Sequence, residues 1–159
     1  MKDRKVKKLL ELKKLSNGII IPTEEVIISV HDIIIEDRKL LGKNDPISIR
    51  DQGLIKHLCD TLIDRPHKYS GNVSEDALYV ATETFYFIAC EHPFIEANKS
   101  TGYVCSLLLL HVNLSKDEPI KSGSPSHEAE EIVKLAEGGK DPKEVRKLIK
   151  KFLQKEISG

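Results

Sequence analysis

The residues best suited to chemistry lie between His92 and Gly102, in the segment HPFIEANKSTG. An unperturbed histidine titrates near pH 6.5, so His92 could take a proton from a hydroxyl group. Glu96 offers the oxygen ligands that Mg²⁺ uses when it also contacts phosphates. Asn98 opens a predicted helix, whose unpaired N–H groups and dipole favour an anion, and Lys99 adds a positive charge there. Together these groups indicate phosphoryl or nucleotidyl transfer.

Each of these residues also has an ordinary structural explanation when it is taken alone. A histidine at a helix end can interact with the helix dipole, and Asn, Ser or Thr commonly cap a helix start. The ordered spacing of the polar residues over eleven positions between two apolar segments favours a functional site.

Two buried helices are predicted to position this segment. From Ser74 onward, apolar residues recur at helical spacing and form a stripe of Leu78, Ala81, Phe85 and Ile88. After the segment, residues 104–112 are apolar on nearly all sides, as in a helix that is buried all round. We expect these two helices to pack as a central pair.

The rest of the chain predicts further helices and an all-α bundle of about six or seven. Helices are expected near residues 2–15, 24–41, 51–63 and 126–137 and from Pro142 onward. The sequence Ser16-Asn17-Gly18 is interpreted as a helix stop, Gly42 as another, and residues 44–46 as a turn. Residues 19–22 read as a short extended segment, residues 65–72 as a loop or small hairpin, and residues 115–126 as a loop.

The predicted helix starts have suitable capping residues. Thr23 is expected to cap the helix that follows it, Ser126 to open the next-to-last helix, and Asp141 to precede a proline in the first turn of the last one.

The composition excludes several classes of protein. With 159 residues, 40% hydrophobic and 31% charged, the chain predicts one globular domain over residues 1–159. No apolar run approaches the roughly 18 to 20 residues of a membrane span. The lysine-rich start does not resemble a secretory signal, so a cytoplasmic location is expected. Cys59, Cys90 and Cys105 are widely spaced in apolar segments, which predicts buried free thiols.

Zero formal net charge conceals two basic ends. Residues 1–14 contain seven basic and two acidic side chains, and residues 138–159 contain seven and three. Basic ends could contact nucleic acid, but no aromatic residue lies among the N-terminal lysines and tryptophan is absent. Helices with solvated lysine faces are the favoured interpretation, and nucleic acid is not an expected partner.

The segment from His92 resembles the signature of the Fic/Doc family: histidine, any residue, Phe, any residue, an acid, Gly or Ala, Asn, Gly or Lys, and Arg. Ala97 and Lys99 make it more similar to the Doc branch, the death-on-curing toxins. Residues 21–31, 49–54 (IRDQGL) and 127–153 are also similar to Doc-like segments. The resemblance covers residues 19–155 and leaves 1–18 as a basic N-terminal helix.

This resemblance implies the all-α Fic fold and a reaction. ATP or another nucleoside triphosphate would serve with Mg²⁺ as cosubstrate, and a phosphate-containing group would pass to a hydroxyl of a target protein. Doc-like members with a lysine at the position of Lys99 resemble kinases of a translation elongation factor, whereas typical Fic proteins transfer AMP. A kinase is therefore favoured, acting as a toxin that pairs with a separate antitoxin chain.

The resemblance also implies roles for individual residues. His92 would be the base on the target hydroxyl, Phe94 the anchor of the loop, and Glu96 the Mg²⁺ ligand. The residues at the nucleotide phosphates would be Asn98, Lys99, Ser100 and Thr101. The segment 65–73 stands where the family has a flap that aligns the target by main-chain pairing. The candidate flap residues are Arg65, His67, Lys68 and Tyr69.

Ser100 departs from the family pattern. The family has an arginine there, and its fork of donors binds phosphates as serine cannot. Loss of such a contact costs about 1.5 to 3 kcal/mol. Lys99 or Arg50 could compensate as an accessory residue, or the chain could be a degenerate binding module without turnover. The histidines outside the segment, among them His31, are assigned no chemical role.

Overall fold

The structure is a computed structural model that describes residues 11–40, 49–114 and 126–158. Within these ranges it contains six α-helices and one two-stranded antiparallel sheet. The strands are β1 (Lys13–Lys14) and β2 (Ile20–Ile21), and the helices are α1 (Glu24–Leu40), α2 (Gln52–Asp64), α3 (Val73–Phe85), α4 (Asn98–Leu114), α5 (His127–Glu137) and α6 (Pro142–Ser158). The predicted all-α fold is confirmed, and no helix in these ranges has the length and apolarity needed to cross a bilayer.

Helices α3 and α4 form the predicted central pair and pack more extensively against each other than any other two elements described. The predicted stripe, which runs along α3 and on to Ile88 just beyond its end, is buried throughout. On one side of the pair lies an apolar cluster with β2, α1 and α2, and on the other side a second cluster with α5 and α6. The last turn before the site, Tyr86–Cys90, is wound as a π-helix, a form that is frequent at functional sites.

Close approach of the central helices depends on Gly102. A Cβ atom at this position would lie 3.0 Å from the Cβ of Ala89 and 3.1 Å from its backbone nitrogen. Because one of these atoms belongs to the backbone of Ala89, it cannot move aside as the end of a flexible side chain would. The absence of a side chain at Gly102 therefore brings the start of α4 against the π-helical turn.

The predicted helix caps are confirmed. The hydroxyl of Thr23 accepts a hydrogen bond from Val26 N at 3.2 Å. Ser126 accepts one from Ala129 N at 3.3 Å, and Asp141 accepts one from Lys143 N at 3.0 Å. These short polar side chains satisfy backbone donors that the helices cannot pair internally.

The helix predicted near residues 2–15 is wrong in its described part, because residues 13–14 form β1. Lys13 pairs with Ile21 and Lys14 with Ile20. Gly18 adopts a φ of 88°, and the side chain of Asn17 accepts a hydrogen bond from Ile19 N at 3.0 Å. Asn-Gly is a strong hairpin signal, and here it turns the chain between strands instead of ending a helix. Residues 1–10 lie outside the described ranges, as do Gly42, the 44–46 turn and the 115–125 loop.

The cysteines follow the prediction of free thiols. Cys59 and Cys105 are buried and Cys90 is partly buried. Burial raises the pKa of Cys59 and of Cys90 to about 12, and it also raises the pKa of Cys105. At neutral pH the three sulfurs are therefore protonated and poorly nucleophilic.

We expect the cysteines to be protected from alkylation in the native protein. At pH 8, iodoacetamide should label the folded chain at least about 100-fold more slowly than the guanidinium-unfolded chain, because only the thiolate reacts. Mass spectrometry of labelled peptides measures each site separately. Rapid native labelling of Cys90, the most accessible of the three, would contradict this assignment.

We also expect Gly102→Val to destabilise the fold by about 1 to 3 kcal/mol, since the added side chain overpacks a close helix contact. The matched control is Gly53→Val. There an added Cβ would meet only the carboxylate end of Asp51, at 3.1 Å, on an exposed helix turn. Guanidinium denaturation followed by circular dichroism measures both variants, and equal stability of the two would argue against the packing role of Gly102.

Candidate active site

The loop of residues 91–97, here called the site loop, connects the π-helical turn to α4. Two of its residues adopt left-handed backbone conformations, His92 with φ 57° and Ala97 with φ 66°. Such conformations are uncommon for residues with a side chain and cost about 1 to 3 kcal/mol each. The surrounding structure must therefore hold the loop at both ends.

The first half of the site loop is held by residues 49–51. The carbonyl of Pro93 accepts hydrogen bonds from the backbone N–H of Arg50 at 2.7 Å and of Asp51 at 2.9 Å. The Arg50 guanidinium donates from Nε to His92 O at 2.6 Å and from Nη2 to Glu91 O at 2.8 Å. One arginine thus fixes the backbone on which the predicted base is carried.

The second half of the site loop is held by His31 of α1. Its imidazole stacks on the ring of Phe94, with 3.8 Å between the centroids and 5° between the planes. Its Nε2 lies 2.9 Å from the carbonyl oxygen of Glu96. Because a carbonyl only accepts, Nε2 carries the proton in this contact. His31 and Phe94 are each 1% exposed, so loop and helix share one buried contact.

Asn98 closes the site loop from within. Its Oδ1 accepts from the backbone N–H of Phe94, and its Nδ2 donates to the carbonyl of the same residue, both at 2.9 Å. An amide nitrogen has two N–H bonds, and this contact uses one of them. The predicted contact between Asn98 and a phosphate remains compatible with this geometry.

Beside the site loop lies a cavity of about 450 Å³, within the usual range for small-molecule sites. It brings together most of the residues predicted for the chemistry and adds two charged residues that were not predicted, Arg38 and Glu130. The lining consists of Arg38, His92, Ile95, Glu96, Ala97, Asn98, Lys99, Ser100 and Glu130. The α4 N-terminus forms part of the wall, and Ala97 before it has no side-chain acceptor to cap that helix.

The donor set fits a magnesium-bound phosphate chain better than a metal held by protein alone. Within the described residues, no three His, Cys, Asp or Glu side chains could together hold a metal ion. Glu96 has an exposed carboxylate at the cavity. Mg²⁺ in nucleotide sites commonly takes one or two carboxylates and completes its shell with phosphates and water. Glu96 could hold the ion in that manner.

Arg38 enters the cavity from the last turn of α1 and donates from Nη2 to the hydroxyl of Ser100 at 3.0 Å. Sequence reasoning missed both Arg38 and His31. They lie seven residues apart and so share one face of α1, a face that also carries the buried Ile27 and Ile35. Polar residues on an apolar stripe were the signal that could have found them.

Helix α5 places a carboxylate at the predicted base. Glu137 Oε1 lies 3.5 Å from His92 Nε2, and both side chains are partly exposed. An imidazole can accept a proton only at one of its two ring nitrogens. Where Nε2 is the accepting nitrogen, a substrate hydroxyl has to displace this carboxylate; where Nε2–H donates to Glu137, Nδ1 is the nitrogen that accepts.

Apart from the flap residues, three predicted site residues lie outside the cavity lining. Arg50, considered as an accessory phosphate ligand, is outside the cavity lining and binds loop carbonyls instead. Thr101 is fully buried, and its hydroxyl has no hydrogen-bond partner among the described residues. Phe94, predicted as the core anchor of the loop, is buried in the core and does not line the cavity.

The candidate flap is a loop with one 3₁₀ turn at Pro66–Lys68. Arg65, His67 and Lys68 are exposed, whereas the Tyr69 hydroxyl donates to Leu62 O at 2.6 Å. Burial raises the pKa of Tyr69, which keeps this donor protonated.

The buried carboxylate of Asp76 holds the end of the flap through the N–H groups of Ser70 and Gly71, at 2.7 and 3.0 Å. None of the four candidate flap residues lines the cavity. Their contact with a target stays a prediction.

We expect His31→Leu to loosen the site loop, because it removes the stacked ring and leaves the Glu96 carbonyl without this donor. The free energy that holds the loop in place should fall by about 1 to 3 kcal/mol. Hydrogen exchange of the amides in residues 91–98, followed by mass spectrometry, reports the loop directly. His57→Leu is the matched control, since His57 is exposed on α2. Unchanged exchange in the His31 variant would contradict the anchoring role.

Comparison with known proteins supplies the remaining finding. No curated protein and no solved structure matches the chain. The model of the Fic/DOC family matches residues 21–110, from β2 through most of α4. The matched region contains His31, Arg38, Arg50 and the whole site loop. Because this match covers more than half of the 159 residues and includes the loop on which the cavity is built, the chain belongs to the Fic/DOC family.

Proposed function

We propose that the chain is a Doc-like transferase that moves a phosphate-containing group from ATP or another nucleoside triphosphate to a hydroxyl of a target protein. Membership of the Fic/DOC family implies transfer of a phosphate-containing group or AMP onto targets, and such proteins typically use nucleoside triphosphates. The observation that carries the proposal is the single cavity where His92, Glu96 and the start of α4 meet.

Each residue of the cavity has a distinct role in the proposed reaction. The N-terminus of α4 and Lys99 attract the phosphates, because backbone N–H groups and a cation face the same space. Glu96 would hold Mg²⁺, which when bound neutralises charge on the phosphates. His92 accepts the proton of the target hydroxyl while the hydroxyl oxygen forms a bond to phosphorus. The bond between that phosphorus and the leaving part of the nucleotide breaks in the same step. Arg50 and His31 keep the loop in place during this exchange.

Phosphorylation is favoured over AMP transfer because Lys99 stands where typical Fic proteins have glycine. The same similarity supports a toxin that modifies a translation factor and is neutralised by a separate antitoxin chain. The exposed flap residues Arg65, His67 and Lys68 are the proposed contacts with the target.

The second candidate is a binding module that holds nucleotide or a partner without turnover. Two observations favour it. Ser100 replaces the arginine of the family signature, and Glu137 Oε1 lies 3.5 Å from Nε2 of His92, one of the two ring nitrogens that could receive the hydroxyl proton. A protein of this kind would bind ATP and transfer nothing.

The proposal is tested with ATP labelled on the γ- or the α-phosphate, incubated with Mg²⁺, purified protein and a cell extract. We expect γ-label on a protein band, reduced about 10²- to 10⁴-fold in His92→Ala, the usual contribution of a general base. His57→Ala serves as the matched histidine control. Label from the α-phosphate would identify an AMP transferase instead. ATP binding without any transfer would favour the binding module, and neither binding nor transfer would overturn both candidates.

A further inference from the structure

We infer that Arg38 is a phosphate-binding residue of the cavity and supplies from α1 the guanidinium that position 100 of α4 lacks. This inference deepens the proposed function and rests on it. Arg38 is 62 residues before Ser100 in the chain, yet its Nη2 lies 3.0 Å from the Ser100 hydroxyl. A cation that belongs to no signature segment thus lies at the start of the helix proposed to bind phosphate.

The chemistry of the contact suits a phosphate. A guanidinium has five N–H donors in a planar fork, so it can hold the hydroxyl of Ser100 and a phosphate oxygen together. Ser100 is 3% exposed and Arg38 is partly buried, so the contact is screened from solvent more than a surface ion pair. Charge-assisted hydrogen bonds are strongest in such partly desolvated places.

The charge balance of the cavity shows what Arg38 contributes. Its described lining carries two carboxylates, Glu96 and Glu130, against the two cations Arg38 and Lys99. Without Arg38, Lys99 alone would face both carboxylates and a polyanionic ligand. Glu96 is proposed to hold Mg²⁺, which would neutralise its charge. Glu130 is assigned no cation in the proposal, so its negative charge would repel the phosphates unless Arg38 offsets it.

Position, rather than charge alone, distinguishes Arg38 from other surface cations. His31 lies seven residues earlier on α1 and is fixed to the site loop through Phe94 and the Glu96 carbonyl. Seven residues span two helical turns, so the anchor and the cation share a face. Arg38 is therefore delivered to the cavity by a helix that is itself attached to the loop.

The test measures binding of ATP, AMP and adenosine to the purified full chain by isothermal titration calorimetry. Arg38→Gln removes the charge but keeps an N–H donor for Ser100. We expect it to weaken ATP binding about 10- to 100-fold, the size of a lost charge-assisted hydrogen bond. Adenosine, which has no phosphate, should bind the variant as well as the wild type. Lys150→Met, an exposed charge on α6, should change neither affinity.

A relocation variant separates a phosphate-binding role from a structural one. The double variant Arg38→Gln with Ser100→Arg moves the guanidinium from α1 to α4 and should recover most of the lost ATP affinity. Arg38→Lys keeps the charge without the fork and should fall between wild type and Arg38→Gln. Circular dichroism of each variant verifies folding, and Arg38→Lys carries the test if Arg38→Gln does not fold.

The outcomes distinguish this inference from the proposed function. If the wild type binds ATP and Arg38→Gln binds it equally well, the inference is overturned while the proposed function stands. An equal loss of ATP and adenosine affinity would mean that Arg38 only maintains the cavity, which also overturns it. If the wild type binds no ATP, both fail together.

Discussion

The structure depends on holding two left-handed residues, His92 and Ala97, at the ends of one loop. Each of these conformations costs about 1 to 3 kcal/mol, whereas one hydrogen bond contributes only about 0.5 to 1.5 kcal/mol. Several contacts from outside the loop are therefore needed to offset the strain. The Arg50 segment provides four such bonds and His31 provides one, with a stacked ring in addition. Helix α1 and the residues that lead into α2 are thus not merely packed on the central pair, because each contributes to the conformation of the loop.

The same constraint keeps an anion site open. A helix start of this kind would ordinarily be capped by its own neighbouring side chain. Here Asn98 faces back to both backbone groups of Phe94, and Ala97 has no acceptor to offer. The first N–H groups of α4, which an α-helix cannot pair internally, lie at the cavity wall together with the cations Lys99 and Arg38. Loop closure and the proposed phosphate binding would therefore be consequences of one arrangement.

The features that depend on neighbouring residues in the chain could be predicted from the sequence. Apolar periodicity identified the central pair α3 and α4, and the caps at Thr23, Ser126 and Asp141 followed from residue type alone. Asn17-Gly18 forms a hairpin turn and not the predicted helix stop, because the same two residues can do either and the choice depends on the pairing of β1 with β2. The candidate site shows the same division. His92, Glu96 and Lys99 are neighbours in the chain, whereas His31, Arg38 and Glu137 reach the site across long sequence separations.

Arg50 and Arg38 show why residue type alone could not assign the cations. Both are arginines that the fold brings near the site loop, but the Arg50 guanidinium is directed at two backbone carbonyls and Arg38 at a hydroxyl within the cavity. A guanidinium that satisfies carbonyls stabilises a conformation, and one beside an open helix start adds charge where a phosphate would bind. Since α1 carries both His31 and Arg38, a shift of this helix would disturb the loop and the cation together. The serine at position 100 is then one half of a contact whose other half is on α1, and the two positions have to be interpreted as a pair.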